Sequence, residues 1–291
     1  MPRPGPALGP DDLIASYYTL ARADRTGQAR VPFADRVAAA GRAGFAGIGV
    51  QPHDHRRSVA EGTSEAAMLA HLAAAGVVLA EVDGLPWWPE AGQSDAELAE
   101  ARDAVLAVAV AFDAHHLVAP MPTLDQDPSD AEVAERLGVA GERAAAVGQR
   151  VAFEFLPWTA VRTLEHAVAL VRAVGLGSVG LTVDFWHLTA GGGGPESLAL
   201  LRPAEVVAVH LTDGRRDPSL DPLAETMVGR RLPGDGEFDV VGLVAALDQL
   251  GATAPLGVET VSLEHRHLDV DQLAVEVHDR VRQVLAEARH R

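Results

Sequence analysis

Along this chain, short apolar runs alternate eight times with longer alanine-rich segments whose apolar residues recur at helical spacing. That alternation restricts the fold more than any single motif. Strands that are apolar throughout must be covered on both faces, so they read as parallel, joined by crossover helices. The spacing predicts strands at Leu13–Leu20, Gly47–Gln51, Val77–Asp83, His115–Pro120, Arg150–Trp158, Val179–Asp184, Val206–His210 and Pro255–Glu259, with Pro157 and Trp158 beginning the loop that leaves the fifth. Helices are expected over Pro32–Ala43, Thr63–Gly76, Ser94–Ala114, Ala131–Gly148, Thr163–Val174, Pro195–Leu201, Val240–Leu250 and Asp271–Arg289. Eight such units in 291 residues suit one (β/α)8 TIM barrel. A doubly wound open sheet is the competitor, weakened because no Gly-x-Gly-x-x-Gly follows the first strand. No linker divides the chain, so residues 1–291 read as a single domain, with 1–10 as a flexible N-terminal extension.

Four successive strands end in a residue able to hold a metal: Glu154, Asp184, His210 and Glu259. Each has an ordinary explanation. Glu154 could pair with an arginine at the rim, Asp184 could cap the following turn, His210 could bond a backbone carbonyl, and Glu259 is equally ambiguous. Together they point to chemistry, because a barrel brings the C-terminal ends of its strands to one mouth, whereas an open sheet need not. Without a cysteine, thiolate ligation is excluded. Three carboxylates and one imidazole make a hard site suited to Mn²⁺, Mg²⁺ or Co²⁺, with Zn²⁺ and Fe²⁺ compatible.

Charge narrows the partners. Asp plus Glu number 41 against 24 Lys plus Arg, a formal net charge of -17, which opposes binding to nucleic acid. No signal-peptide core or membrane-length apolar stretch is seen, so a cytoplasmic protein is expected, and the alanine-rich helices leave room for a homodimer.

Phe153-Glu-Phe-Leu-Pro157, Val183-Asp-Phe-Trp-His187, Val209-His-Leu-Thr-Asp213, Arg230-Arg-Leu-Pro-Gly-Asp-Gly-Glu-Phe-Asp239 and Gly257-Val-Glu-Thr-Val261 resemble the xylose isomerase-like TIM barrels. More narrowly, they resemble the sugar phosphate isomerase/epimerase branch, with its ketose 3-epimerases, inosose dehydratases and 3-dehydroshikimate dehydratases. The resemblance implies that Glu154, Asp184, His210 and Glu259 ligate one divalent ion, with Mn²⁺ foremost. It implies that His187 and Arg230 contact substrate, with Arg231 next in register, and that Glu154 and Glu259 exchange a proton on opposite sides of the substrate. Where many relatives carry an arginine three residues after the histidine of Asp-x-x-His, this chain has Ala190. The following Gly191–Gly194 run would suit a mobile lid, or a loop without a role. Asp239 reads as a helix cap rather than a ligand.

The reaction expected from the resemblance is isomerisation or epimerisation of a ketose or related polyhydroxy carbonyl compound through a metal-stabilised enediolate. The same intermediate can expel a β-hydroxyl, so a dehydratase is the alternative; a noncatalytic metal-binding subunit is a reading of another class. Trp88, Trp158 and Trp186 fall at strand ends or loops, and Tyr17 and Tyr18 lie in the first expected strand. One tyrosine and two of the tryptophans are expected to wall the pocket. Abasic-site endonucleases share this barrel with three metals, and His53, His55, His115 and His116 would be their extra ligands here, a reading the net charge disfavours.

Overall fold

The first and last apolar runs of the chain lie side by side, Leu13–Ala15 (β1) pairing in parallel with Leu256–Val258 (β8). Between them Gly47–Val50 (β2), Val78–Asp83 (β3), His116–Pro120 (β4), Val151–Glu154 (β5), Val179–Asp184 (β6) and Val206–Leu211 (β7) follow in chain order, closing an eight-stranded parallel barrel. This is a computed structural model, described over residues 7–23, 27–260 and 267–290. Residues 1–6, most of the expected N-terminal extension, lie outside the described residues, as does Val261 of the last sequence motif.

The covering helices form where the periodicity places them, and polar caps fix their starts. Ser64, Ser129, Thr163, Asp239 and Asp269 each accept a hydrogen bond from the amide three residues on, and Ser94 and Glu97 form a reciprocal capping box. Asp239 is therefore a cap for Val240–Leu250, as its sequence context suggests. Among the described residues no helix is long and apolar enough to cross a membrane.

The first strand is shorter than expected. After Ala15 the chain turns into a helix, Tyr17–Ala21, although Tyr-Tyr-Thr favours strands locally. Tertiary bonds override that preference: Ser16 N donates to Val258 O at 3.1 Å, and Thr19 Oγ1 donates to the same carbonyl at 2.6 Å. Tyr17 and Tyr18 thus stand on a turn of helix at the mouth rather than in the wall. Similarly, His53 and His55 lie within a helix, Pro52–Ala60, His115 precedes β4, and Pro195–Leu200 is a 3₁₀ rather than an α-helix. Two further short helices, Phe185–Ala190 and Pro222–Gly229, were not legible in the pattern, nor was the two-residue antiparallel ribbon of Asp213–Gly214 with Arg230–Arg231.

Apolar side chains fill the space between barrel and helices. The polar exceptions collect near the barrel axis and mouth, where Glu81, His116, Asp184 and His210 are each at most 1% exposed. Burial of so many ionisable groups demands partners.

Candidate metal centre and active site

Each of the four strand-end residues arrives by a different route. Glu154 and Asp184 are the last residues of β5 and β6, His210 is the penultimate residue of β7, and Glu259 follows β8. Strand register aligns Asp184 with His210 and His210 with Gly257. Gly257 is needed there: a Cβ on it would lie 2.8 Å from Val209 O and 3.0 Å from His210 Cδ2. One potential ligand atom from each of Glu154, Asp184, His210 and Glu259 falls within 4.8 Å of all the others.

Two atoms of this group are buried without a hydrogen-bond partner among the described residues, Glu154 Oε1 and His210 Nδ1. They approach to 3.4 Å without hydrogen-bond geometry. A carboxylate oxygen and a ring nitrogen left this way are costly unless something else engages them, and the donor set fits a divalent cation. Asp184 serves two roles at once: Oδ1 accepts from His187 N at 2.8 Å as a helix cap, while Oδ2 accepts from Arg230 Nη1 at 2.9 Å. Asp184 thus caps the following helix and also belongs to the group of four.

Behind the cluster stands Glu81, which the motif reading missed. Its Oε2 lies 2.7 Å from His210 Nε2, 3.4 Å from His116 Nε2 and 3.5 Å from Ser16 Oγ. Burial alone would raise the Glu81 carboxyl, but the charges and hydrogen bonds of His210 and His116 outweigh it and hold it well below the carboxylate range. His210, whose charged form burial disfavours, is nonetheless held well above its ordinary value by Glu81 and Glu259. Glu259 is pushed well up, first by burial, although His210 and Arg230 pull it down. The signal for Glu81 was available: a carboxylate inside an apolar strand, the same anomaly that singles out Glu154.

Above the cluster lies a cavity of about 200 Å³. His187 and Arg230 line it, together with Glu154 and Glu259. Arg230 also reaches Glu259 Oε2 at 3.2 Å and places Nη2 3.2 Å from His187 Nε2, so its position leaves no need for Arg231, whose Nη1 donates to Val228 O at 2.8 Å. Burial lowers the His187 imidazole first, with Arg230 adding to the effect, against the opposing pull of Asp184 and Glu154.

The aromatic expectation needs correction. Trp158 lines the cavity, its ring 5.3 Å from that of His187, and so does Tyr18. Trp186 is 1% exposed and lies beneath Arg230, 5.9 Å from its guanidinium carbon, so it supports the site without facing it. Trp88 packs on Trp87 and stacks with Arg136 at 5.0 Å, away from the cavity lining. Trp87 belongs to the apolar core, which leaves Trp158 as the tryptophan of the wall among the described residues.

The Gly191–Gly194 run also sits elsewhere. A Cβ on Gly191 would lie 2.6 Å from Arg162 O, and one on Gly193 would lie 2.5 Å from Leu188 Cδ1. Those glycines allow close packing, and cover over the cavity comes instead from Leu223, Thr226 and Met227 of the Pro222–Gly229 helix. The other candidate histidines stand outside the group of four, His116 reaching it through Glu81. His53 contacts Gly27 O at 3.0 Å, His55 lies 3.1 Å from Glu65, and His115 meets His116 at 3.1 Å.

A family model described as xylose isomerase-like TIM barrel matches residues 37–283. A 3-dehydroshikimate dehydratase of Pseudomonas aeruginosa is 33% identical over 128 residues, 44% of this chain and 20% of that protein. An inosose isomerase of Bacillus velezensis is 31% identical over 146 residues, 50% of each chain. The matches therefore span half or less of these relatives' length. Among solved structures, the IOLI protein with a bound zinc atom superposes with a TM-score of 0.83 at 18% identity, covering 95% of this chain and 99% of that one, a likeness of fold.

Proposed function

The chain belongs to the xylose isomerase-like TIM barrel family, and from that premise we propose a divalent-metal-dependent isomerase or epimerase acting on a ketose or related polyhydroxy carbonyl compound. The observation that carries this reading is the convergence of Glu154, Asp184, His210 and Glu259, with Glu154 Oε1 and His210 Nδ1 buried and unpartnered. These four residues would hold the ion; three oxygen donors to one nitrogen favour Mn²⁺, with Mg²⁺, Co²⁺ or Zn²⁺ also compatible, and zinc is the metal named for the structural neighbour. A divalent ion at this position supplies Lewis-acid polarisation of a substrate carbonyl.

The protein's own groups account for the rest. Glu154 and Glu259 come from strands separated by two others and both face the cavity. One carboxylate removes the proton from the carbon beside the carbonyl, and the electron pair moves into a carbon–carbon double bond as the carbonyl oxygen gains charge. Return of a proton from the other carboxyl on the opposite face gives the epimer; return at the neighbouring carbon, with a proton shift between the oxygens, gives the isomer. His187 and Arg230 orient the oxygens, and the Leu223–Met227 cover limits water.

A lyase is the second reading, favoured by the dehydratase name of one relative. There the same electron pair expels a hydroxyl β to the carbonyl, which leaves as water after protonation. Incubation with ketoses, inososes and dehydroshikimate in D₂O separates the two by mass spectrometry. Deuterium uptake without water loss is the result expected, and water loss would establish the lyase. Glu259→Gln should reduce either reaction by about 10³-fold or more while leaving the fold intact; wild-type turnover in the metal-replete variant would remove Glu259 from the mechanism.

A further inference from the structure

The wall of the cavity contributed by β1, β2 and β3 is also built, and no role assigned above uses it. Gln51, just after β2, donates from one amide nitrogen to Asp83 Oδ2 at 2.8 Å and to Tyr18 OH at 3.0 Å. Asp83 ends β3, and Tyr18 stands in the helix after β1. All three line the cavity on the side of the ring away from β5, β6 and β7. Tyr18 OH accepts from Gln51, so its own proton remains to be donated, and Asp83 Oδ1 has no protein partner among the described residues.

We infer that Tyr18, Gln51 and Asp83 form a subsite for uncharged, neighbouring hydroxyl groups of the substrate, at the end that lies against the β1–β3 side of the cavity. This rests on the function proposed above and narrows its substrate to one without a phosphate or carboxylate at that end. Two adjacent groups, one a carboxyl and one a phenol, match a diol, since each hydroxyl of a diol both donates and accepts. Burial, then the charges of Glu81 and Glu154, push Asp83 up to about 7, while the Gln51 hydrogen bond and His210 pull it down. Burial likewise pushes the Tyr18 hydroxyl up, with Asp83 and Glu259 adding to the effect, so it stays protonated.

On this wall itself the ionisable groups are a carboxyl and a phenol, which offer an anion no cation. Among the described lining residues Arg230 is the guanidinium available, and Asp184 and Glu259 already share it. A purely structural pair with Gln51 would be served as well by an asparagine, without the cost of burying a carboxyl next to two others. A hydroxyl-binding role explains why the acid is there.

Calorimetric titration of Mn²⁺-reconstituted protein with myo-inositol, D-sorbitol and inorganic phosphate tests the subsite without turnover. Wild type should bind at least one polyol in preference to phosphate. Asp83→Ala should weaken that binding by about tenfold or more, with Mn²⁺ affinity within about threefold of wild type. Asp83→Asn, which keeps a hydrogen-bonding group, should recover part of the loss. Gln51→Met, which removes the amide that holds both partners, should weaken polyol binding in the same direction and serves if Asp83→Ala does not fold. Unchanged polyol affinity in the folded variants, loss of Mn²⁺ with Asp83, preferential phosphate binding, or no polyol binding by wild type would overturn the inference. Polyol binding without deuterium exchange would instead fail the proposed reaction and leave the subsite standing.

Discussion

His210 presents Nδ1 to three carboxylates because Glu81 engages the opposite ring nitrogen at 2.7 Å. Such a partner behind a ligating histidine sets its tautomer and orientation. Glu81→Ala should lower Mn²⁺ affinity about 10- to 100-fold, and Glu81→Gln, which can still accept a hydrogen bond, should lose less; unchanged affinity on calorimetric titration would show that Glu81 only fills space. Asp83 makes a different prediction, about stability. Its folded value of about 7 lies above the ordinary 3.8, so it favours the folded state fully below pH 4 and loses that contribution as pH rises through about 7. In metal-stripped protein, Asp83→Asn should therefore raise Tm at pH 8 by about 2 °C or more, and the gain should shrink toward pH 5. A gain of equal size at both pH values would contradict this linkage.

Whole elements, rather than single ligands, hold Arg230 in place. Gly214 and Gly229, on opposite strands of the small ribbon and its approach, leave the space that Trp186 fills; a Cβ on Gly229 would fall 2.3 Å from its ring and one on Gly214 2.4 Å. Asp213 fastens the following turn by accepting from the amides of Gly214, Gly234, Gly236 and Phe238 at 2.7–3.1 Å. That contact gives the Leu232–Asp239 turn of the sequence motif a structural role. Gly229→Ala should push Trp186 against Arg230 and cost about 1–3 kcal/mol of stability, read as a fall in Tm, with KM for substrate rising; an unchanged Tm would mean that Trp186 has room to move. This arrangement explains what the sequence could and could not reveal. The strand ends were legible because a charge at the end of an apolar run is anomalous wherever it occurs. The helices Tyr17–Ala21, Phe185–Ala190 and Pro222–Gly229 are too short to show a period, and long-range bonds such as Thr19 to Val258 decide them. For the same reason Trp186, which looked like a pocket wall from its place after Asp184, proves to be a buried support.

At the scale of the molecule, barrel closure is what converts four separate residues into one centre. Pairing of β1 with β8 curves the sheet so that β5 to β8 deliver their ends to the same mouth, while β1 to β3 supply the facing wall. Alternation of strands and helices made that closure readable; the facing wall was not, because Gln51 and Asp83 acquire meaning only once β2 and β3 stand across the cavity from Glu154. The fold thus divides the labour between a charged half that would hold the ion and a hydrogen-bonding half that would hold the rest of the substrate. Metal stoichiometry of chelator-stripped, Mn²⁺-reconstituted protein tests this directly. We expect close to one ion per chain in wild type and well below half that in His210→Ala, both measured on folded protein; fewer than about half the wild-type chains holding an ion, or equal retention in the variant, would contradict the assignment of Glu154, Asp184, His210 and Glu259 as a metal centre.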